Sequence, residues 1–392
     1  MKSEWNTSAI ANICKVVTDG SHTSPKSVSH GKYMVSVKDF TPYGFDFNGC
    51  RQISFADYEK LKSSGCVPQK GDILIGKDGA RYFEDIIIYN QDEAPALLSS
   101  IAILRCDEEK VIPEYLYYLL KTPSFKKDVK DNYGSGSAIP RIILKDFKRM
   151  KVEYPSIEKQ RQIVSILHDL DAKIFNNQKV NDNLEQQAAA LFSSLYNRSN
   201  TEVRYTDLIQ ILGGGTPKTG ETAYWNGNIA FFTPKDVGTP YTFITEKTIT
   251  EEGLSHCNSR LYPVNTVFVT ARGTVGKVGL SGVPMAMNQS CYALVGKETH
   301  QLLVYFYTLK AVDRLKHKAS GAVFDAITTR DFDSEQIMKL SDDDAKAFLC
   351  VAEPMFQEIL NNGIENLQLS TLRDFLLPKL MSGEIDVSSV QL

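Results

Sequence analysis

No run of apolar residues approaches the ~18 needed to cross a bilayer, and Met1-Lys-Ser-Glu-Trp5 is followed by no apolar stretch. A membrane-spanning helix, a secretory leader and contact with a membrane are therefore not expected. Cysteines at metal-ligand spacing are also missing. Cys14, Cys50, Cys66, Cys106, Cys257, Cys291 and Cys350 are odd in number, and none stands in a Cys-x-x-Cys pair. That pattern argues against a disulfide framework or a zinc site and fits reduced thiols in a cytoplasm. His256-Cys257 is the single His/Cys neighbour pair and lacks further ligands at workable spacing.

Catalytic signatures are absent too. The sequence has no His-Glu-x-x-His, no Pro-Pro-Tyr or Pro-Pro-Phe methyltransferase tetrad and no Walker A loop. The run at Gly273 lacks the four-residue gap of a phosphate loop and the Ser or Thr after Lys277. Glu108-Glu-Lys110 matches only the tail of a nuclease Glu-x-Lys, a triplet common by chance. The chain reads as non-catalytic, binding no metal or cofactor of its own.

Excess positive charge is likewise lacking. Forty-four basic residues face 47 acidic ones, for a net charge of −3. Contact with a polyanion would therefore have to be local. Two basic runs supply candidates. Lys121, Lys126, Lys127, Lys130, Arg141, Lys145, Lys148, Arg149 and Lys151 form the first, and Lys310, Arg314, Lys316, His317 and Lys318 the second.

What the sequence does contain is a duplication. Asp146-Phe147 lies over Asp331-Phe332 at an offset of 185 residues, and the segments that follow keep that offset. After each copy, apolar residues recur at spacings of four and three. The first seam is Ile163, Leu167, Leu170, Ile174, Leu184, Ala188, Leu191 and Leu195; the second is Phe348, Ala352, Met355, Ile359, Leu369, Arg373, Leu376 and Leu380. Such seams predict two coiled-coil helices of roughly 40 residues, or ~60 Å each. Asn177 and Asn181 interrupt the first, Asn362 and Asn366 the second. If the helices pack antiparallel, these four amides meet at the midpoints and fix register. Pro354 is expected to kink the second helix or mark a late start.

Between the helices lie segments of mixed character. Strands are expected at 72–75, 85–89, 100–104 and 266–270, and aromatic-rich helices at 113–120 and 302–309. The predicted fold class is α+β: two globular α/β-mixed domains separated by two long antiparallel coiled-coil helices, with an internal pseudo-two-fold repeat. Each half also carries turns rich in Gly, Thr and basic residues. The first half has Asp19-Gly-Ser-His-Thr-Ser-Pro-Lys26, Val37-Lys-Asp39 and Gly76-Lys-Asp-Gly-Ala-Arg-Tyr82. The second has Gly213-Gly-Gly-Thr-Pro-Lys-Thr219, Pro234-Lys-Asp236 and Ala271-Arg-Gly-Thr-Val-Gly-Lys277. Such turns let backbone N–H groups approach phosphates, while Arg, Lys, Asn and Gln read base edges. A coiled-coil scaffold without DNA specificity would explain the helices but not these paired loops.

The order of motifs is more specific than any one of them. Gly214-Gly-Thr-Pro-Lys-Thr219, Trp225-Asn-Gly-Asn-Ile229, Lys235-Asp236, Arg272-Gly-Thr-Val-Gly276 and Asn288-Gln289 follow one another in the second half. The first half opens with Asp19-Gly-Ser-His-Thr-Ser-Pro25, and its helix with Tyr154-Pro-Ser-Ile-Glu-Lys-Gln160. Over nearly its whole length the chain resembles the DNA specificity subunits of Type I restriction-modification systems. Lys159 stands where that family often has Glu, and the second helix start near Leu340-Ser-Asp-Asp-Asp344 lacks the proline and glutamine.

The resemblance implies target-recognition domains at 1–155 and 199–340, a central helix at 156–198, and a C-terminal helix and tail at 341–392. It implies a bipartite, asymmetric target in double-stranded DNA and two methyltransferase subunits and restriction subunits as partners. S-adenosylmethionine, ATP and Mg would sit on those partners. Expected DNA contacts are His22, Thr23, Lys26, Lys38, Lys77, Arg81, Ser135, Ser137 and Arg141 in the first half. In the second half they are Thr216, Lys218, Lys235, Arg272, Thr274, Lys277, Asn288, Gln289 and Lys318.

Overall fold

The structure is a computed structural model and describes residues 5–134, 140–318 and 326–387. Ser135 and Ser137 lie outside the described residues. Contacts divide the chain into two compact units: Met1–Asp171 with Thr371–Leu392, and Ala172–Ser370.

The first unit is built on a four-stranded antiparallel sheet. Its spatial order is Cys14–Asp19, Ile101–Cys106, Ile73–Gly76, Ile86–Ile88. The unbroken apolar run Ile73-Leu-Ile75 is explained by burial on both faces. Ile73 and Ile75 join a core with the helix Pro113–Lys121, whereas Leu74 points the other way, toward Ile87, Ile101 and Ile103. Pro113 starts that helix where a missing N–H costs nothing. A shorter mixed sheet holds Ala96–Leu97, Lys32–Val35, Gln52–Ile53 and Ser27–Val28. Strand Asn6–Ala9 pairs antiparallel with Lys151–Tyr154, which leads into the central helix, Ile157–Tyr196. Gln160 secures that helix start. Its amide is fully buried, donates to the carbonyls of Pro155 and Lys110 (both 2.9 Å), and accepts the Ile112 N–H at 3.0 Å.

The second unit repeats the plan. Ile209–Gly213, Cys291–Gly296, Val267–Thr270 and Val278–Ser281 follow in the same spatial order, with Tyr241–Thr242 added in parallel. Trp225–Phe232 lies between Lys247–Ile249 and Met285–Met287 in a three-stranded sheet. Helix Gln301–Lys318 packs on the larger sheet, and Thr201–Arg204 pairs with Gln336–Lys339 ahead of the C-terminal helix, Asp342–Ser382. Where the first unit uses Gln160, Ser341 and Asp344 form a reciprocal cap: the Asp344 N–H donates to Ser341 Oγ at 3.1 Å, and that hydroxyl donates to the carboxylate at 2.9 Å.

The long helices have 40 and 41 residues and run antiparallel. In the second unit Asn177 Nδ2 donates to Asn366 Oδ1 at 2.9 Å, and Asn362 Nδ2 to Asn181 Oδ1 at 2.9 Å, so rising numbers meet falling ones. The amides thus bond as two separate pairs rather than one four-membered cluster. Glu365 joins the first pair, accepting from Asn177 at 2.7 Å and from Lys173 at 3.2 Å. In the first unit Arg373, the cation on the apolar seam, donates to Asp171 at 2.8 Å. Pro354 does not mark a late start: the helix begins at Asp342 and continues through both Pro354 and Pro378. The carbonyl deprived of its partner by Pro354 belongs to exposed Cys350, where water can satisfy it.

Candidate nucleic-acid interface

The strand ends of each unit bring four turns together. In the second unit Gly215 N–H donates to the Met287 carbonyl at 3.0 Å, joining the Gly-Gly-Thr turn to the Asn288-Gln289 turn. Gly214 packs so tightly that an added Cβ would overlap the Asn288 carbonyl oxygen. Thr216 Oγ1 donates to Gln289 Oε1 across the same seam. The Ala271 N–H donates to the Ser290 carbonyl at 2.8 Å, attaching the Arg272-Gly273 loop beside it. Thr274 Oγ1 donates to the Pro234 carbonyl at 3.0 Å, which brings in the Lys235 turn. Thr233, Lys235, Lys247, Gly273, Thr274 and Asn288 line the resulting groove. Trp225 serves from outside it, with Nε1 donating to the Lys218 carbonyl at 3.1 Å and so fastening the Gly-Gly-Thr-Pro-Lys turn.

The first unit repeats two of these joints through its backbone. Ser21 N–H donates to the Leu97 carbonyl at 2.7 Å, Lys77 N–H to the Ser100 carbonyl at 2.8 Å, and an added Cβ on Gly20 would overlap the carbonyl oxygens of Leu97 and Leu98. Lys38 and Arg81 line one groove with Gly76 and Gly79. Gly79 and Gly273 both hold positive φ, 94° and 83°, as the equivalent loops turn. Each loop is bridged to the segment that precedes the closing helix, Asp78 to Arg141 and Arg272 to Ala326.

The two Lys-Asp turns divide their labour in the same way. Asp39 accepts from the Ser36 N–H at 2.7 Å and from its hydroxyl at 3.1 Å. Asp236 accepts from the Thr233 N–H at 2.8 Å and from its hydroxyl at 2.6 Å. The aspartates close the turns and leave Lys38 and Lys235 exposed. The Ser/Thr-x-x-Asp pattern that signals this closure was legible in the sequence.

The sequence profile described as the Type I restriction modification DNA specificity domain matches residues 2–186 and 197–339. The chain belongs to this specificity family. The Type I restriction enzyme MjaIX specificity subunit of Methanocaldococcus jannaschii is 24% identical over 310 residues, 72% of this chain and 71% of its own. The HindI specificity subunit of Haemophilus influenzae is 24% identical over 406 residues, covering 81% and 87%. The crystal structure of a Type I restriction-modification S subunit from M. genitalium shares the fold, with a TM-score of 0.59 at 16% identity over 96% of both chains.

Most of the expected DNA contacts of this specificity-family chain are exposed at the turns: His22, Thr23, Lys26, Lys38, Arg81, Arg141, Thr216, Lys218, Lys235, Arg272, Thr274, Lys277 and Gln289, with Asn288 half-buried beside them. Arg272 and Lys277 make no ion pair among the described residues. Lys77 is a correction. It is 6% exposed, and its ammonium lies between Asp19 (3.5 Å) and Asp78 (3.4 Å), beneath the turns rather than on them. Asp19 also bonds His22 at 3.2 Å, so the pair links two turns.

Lys318 is also exposed, but it is ion-paired to the buried carboxylate of Glu335. Arg314 Nε lies 3.4 Å from the other Glu335 oxygen, in a geometry that makes no hydrogen bond. The basic runs are thus partly neutralised from within. In the first, Lys126 and Lys130 each donate to Glu84 at 2.7 Å, Arg149 to Asp146 at 2.8 Å, and Lys121 to the Tyr117 hydroxyl at 2.7 Å. Burial lowers the Lys121 pKa below the ordinary lysine value. Hydrogen bonds from Lys126 and Lys130 hold the Glu84 carboxyl below the usual carboxylate range. Sequence reasoning missed Glu84 and Glu335, whose cation partners lie on other elements, and the fastening role of Trp225, which depends on how the turn at Lys218 folds back toward its indole. Among the described residues no His, Cys, Asp and Glu group is placed to hold a metal, and no helix is long and apolar enough to cross a membrane.

Proposed function

We propose that the chain reads a bipartite, asymmetric target in double-stranded DNA, one half-site per unit. In this reading two methyltransferase subunits and restriction subunits dock on it, and they carry the S-adenosylmethionine, ATP and Mg. One observation supports it above others: both units draw corresponding turns together through like backbone joints, yet beyond the shared Lys38 and Lys235 different side chains face outward. His22 and Arg81 mark the first; Thr216 and Arg272 mark the second. A shared frame with unlike contacts suits two different short sequences. In this reading the turns of each unit belong to a target-recognition domain, at 1–155 and 199–340, with a central helix at 156–198 and a C-terminal helix and tail at 341–392.

Methylome sequencing of a host that expresses this chain with its methyltransferase tests the reading. The expected motif has two unlike half-sites around an unread spacer. A continuous or palindromic motif would refute it.

A further inference from the structure

In both units a helix carries two cations one turn apart: Lys126 and Lys130 on Pro123–Asn132, which follows Pro113–Lys121 in the first, and Arg314 and Lys318 on Gln301–Lys318 in the second. Like charges at this spacing repel, and in each unit a single carboxylate answers both. The carboxylates come from different places. Glu335 begins the run into the closing strand and is fully buried. Glu84 ends the loop that carries Gly79 and Arg81, and its side chain is 34% exposed. Displacing Glu335 would strand a buried charge, a heavy cost. Displacing Glu84 would return it to water.

The local backbone presents Glu84 to those lysines. Phe83 adopts φ 63°, a left-handed conformation that a bulky residue rarely takes. Its ring is 1% exposed and stacks on Phe125 of the lysine helix, with centroids 6.0 Å apart. That anchor sets the next residue above Lys126 and Lys130. Each ammonium reaches a separate oxygen at 2.7 Å, which is the geometry of two lysines on one oxyanion. The recognition loop and the lysine helix are therefore joined by an anion-sized contact at the surface.

We propose that Lys126 and Lys130 form a clamp for one or two backbone phosphates of DNA, and that Glu84 competes with phosphate for the same ammonium groups. The proposal rests on the DNA-reading function above. Glu84 thereby weakens attachment to any duplex irrespective of sequence, and the base contacts of the turns must supply what it withholds. It acts as a specificity-determining residue without touching a base.

The test is duplex binding by the full chain across a salt series, using a 30-bp duplex of arbitrary sequence. Glu84→Gln should bind more tightly than wild type and steepen the log–log salt slope by about one to two, since each newly neutralised phosphate adds about 0.9. Glu158→Gln, which removes the same charge from an exposed site at the central helix start, should leave the slope unchanged. Lys126→Met with Lys130→Met in the Glu84→Gln background should restore the wild-type slope. Circular dichroism checks that each variant is folded. A Glu84→Gln slope equal to wild type, or a gain that survives the two Met substitutions, overturns the clamp while leaving the DNA reading intact. Failure of every form to bind duplex, even with methyltransferase subunits added, overturns both.

Discussion

At Gly214 a single missing carbon decides whether two turns can touch. Its neighbour Gly215 bonds Met287, and the adjacent carbonyl of Asn288 occupies the space where a Cβ would stand. Gly214→Ala must therefore push the Thr216 turn away from Gln289, at about 1–3 kcal/mol for an overpacked site. Thermal melts should show that loss, and binding should fall with it; an unchanged melting temperature would show that the turns give way freely. Residue type alone pointed to many exposed side chains at these turns, because Gly, Thr and basic residues cluster there. It could not tell Lys77 from Lys38. Both are lysines beside an aspartate, but Asp39 spends its carboxylate on Ser36 whereas Asp19 and Asp78 enclose Lys77. Which partner an aspartate takes is set by tertiary placement.

At the scale of elements, the long helices were the most readable part of the chain. Their seams predicted lengths of roughly 40 residues, and 40 and 41 are found. The expected strands and aromatic-rich helices also form, although Gln301–Lys318 extends nine residues beyond the predicted 309. The short pairings of Asn6–Ala9 and Thr201–Arg204 were not legible, since such brief polar strands carry little periodicity. The asparagines permit a test at this scale. Asn177 is 4% exposed and supplies donors to Asn366 and Glu365. Asn177→Leu should cost about 1–3 kcal/mol by leaving the Asn366 oxygen unmatched. Adding Asn366→Leu should recover most of it, because an apolar pair suits the seam. Denaturant melts on the single and double variants decide the matter. A double variant weaker than the single one would show that these amides are not stability-limiting partners.

For the molecule as a whole, duplication was the most informative sequence feature, and the structure repeats the sheet order, two backbone joints between turns and the paired cations. The repeat also sets a test of independence. Substituting Lys235, Arg272 and Asn288 together should alter one half of the methylated motif and leave the other unchanged. Methylome sequencing reads both halves in one experiment, and simultaneous change in both would count against separate readers.

The first unit is not contiguous along the chain. Its core takes Ile163 and Leu167 from the central helix, but also Leu377, Leu380, Met381 and Val387 from beyond Thr371. The second unit is a single uninterrupted stretch. Synthesis on a ribosome proceeds from the N-terminus, so the half translated first is finished last. Its apolar wall stays open while the entire second unit emerges and folds. A frameshift or premature stop near residue 370 would accordingly injure the recognition unit encoded at the opposite end of the reading frame.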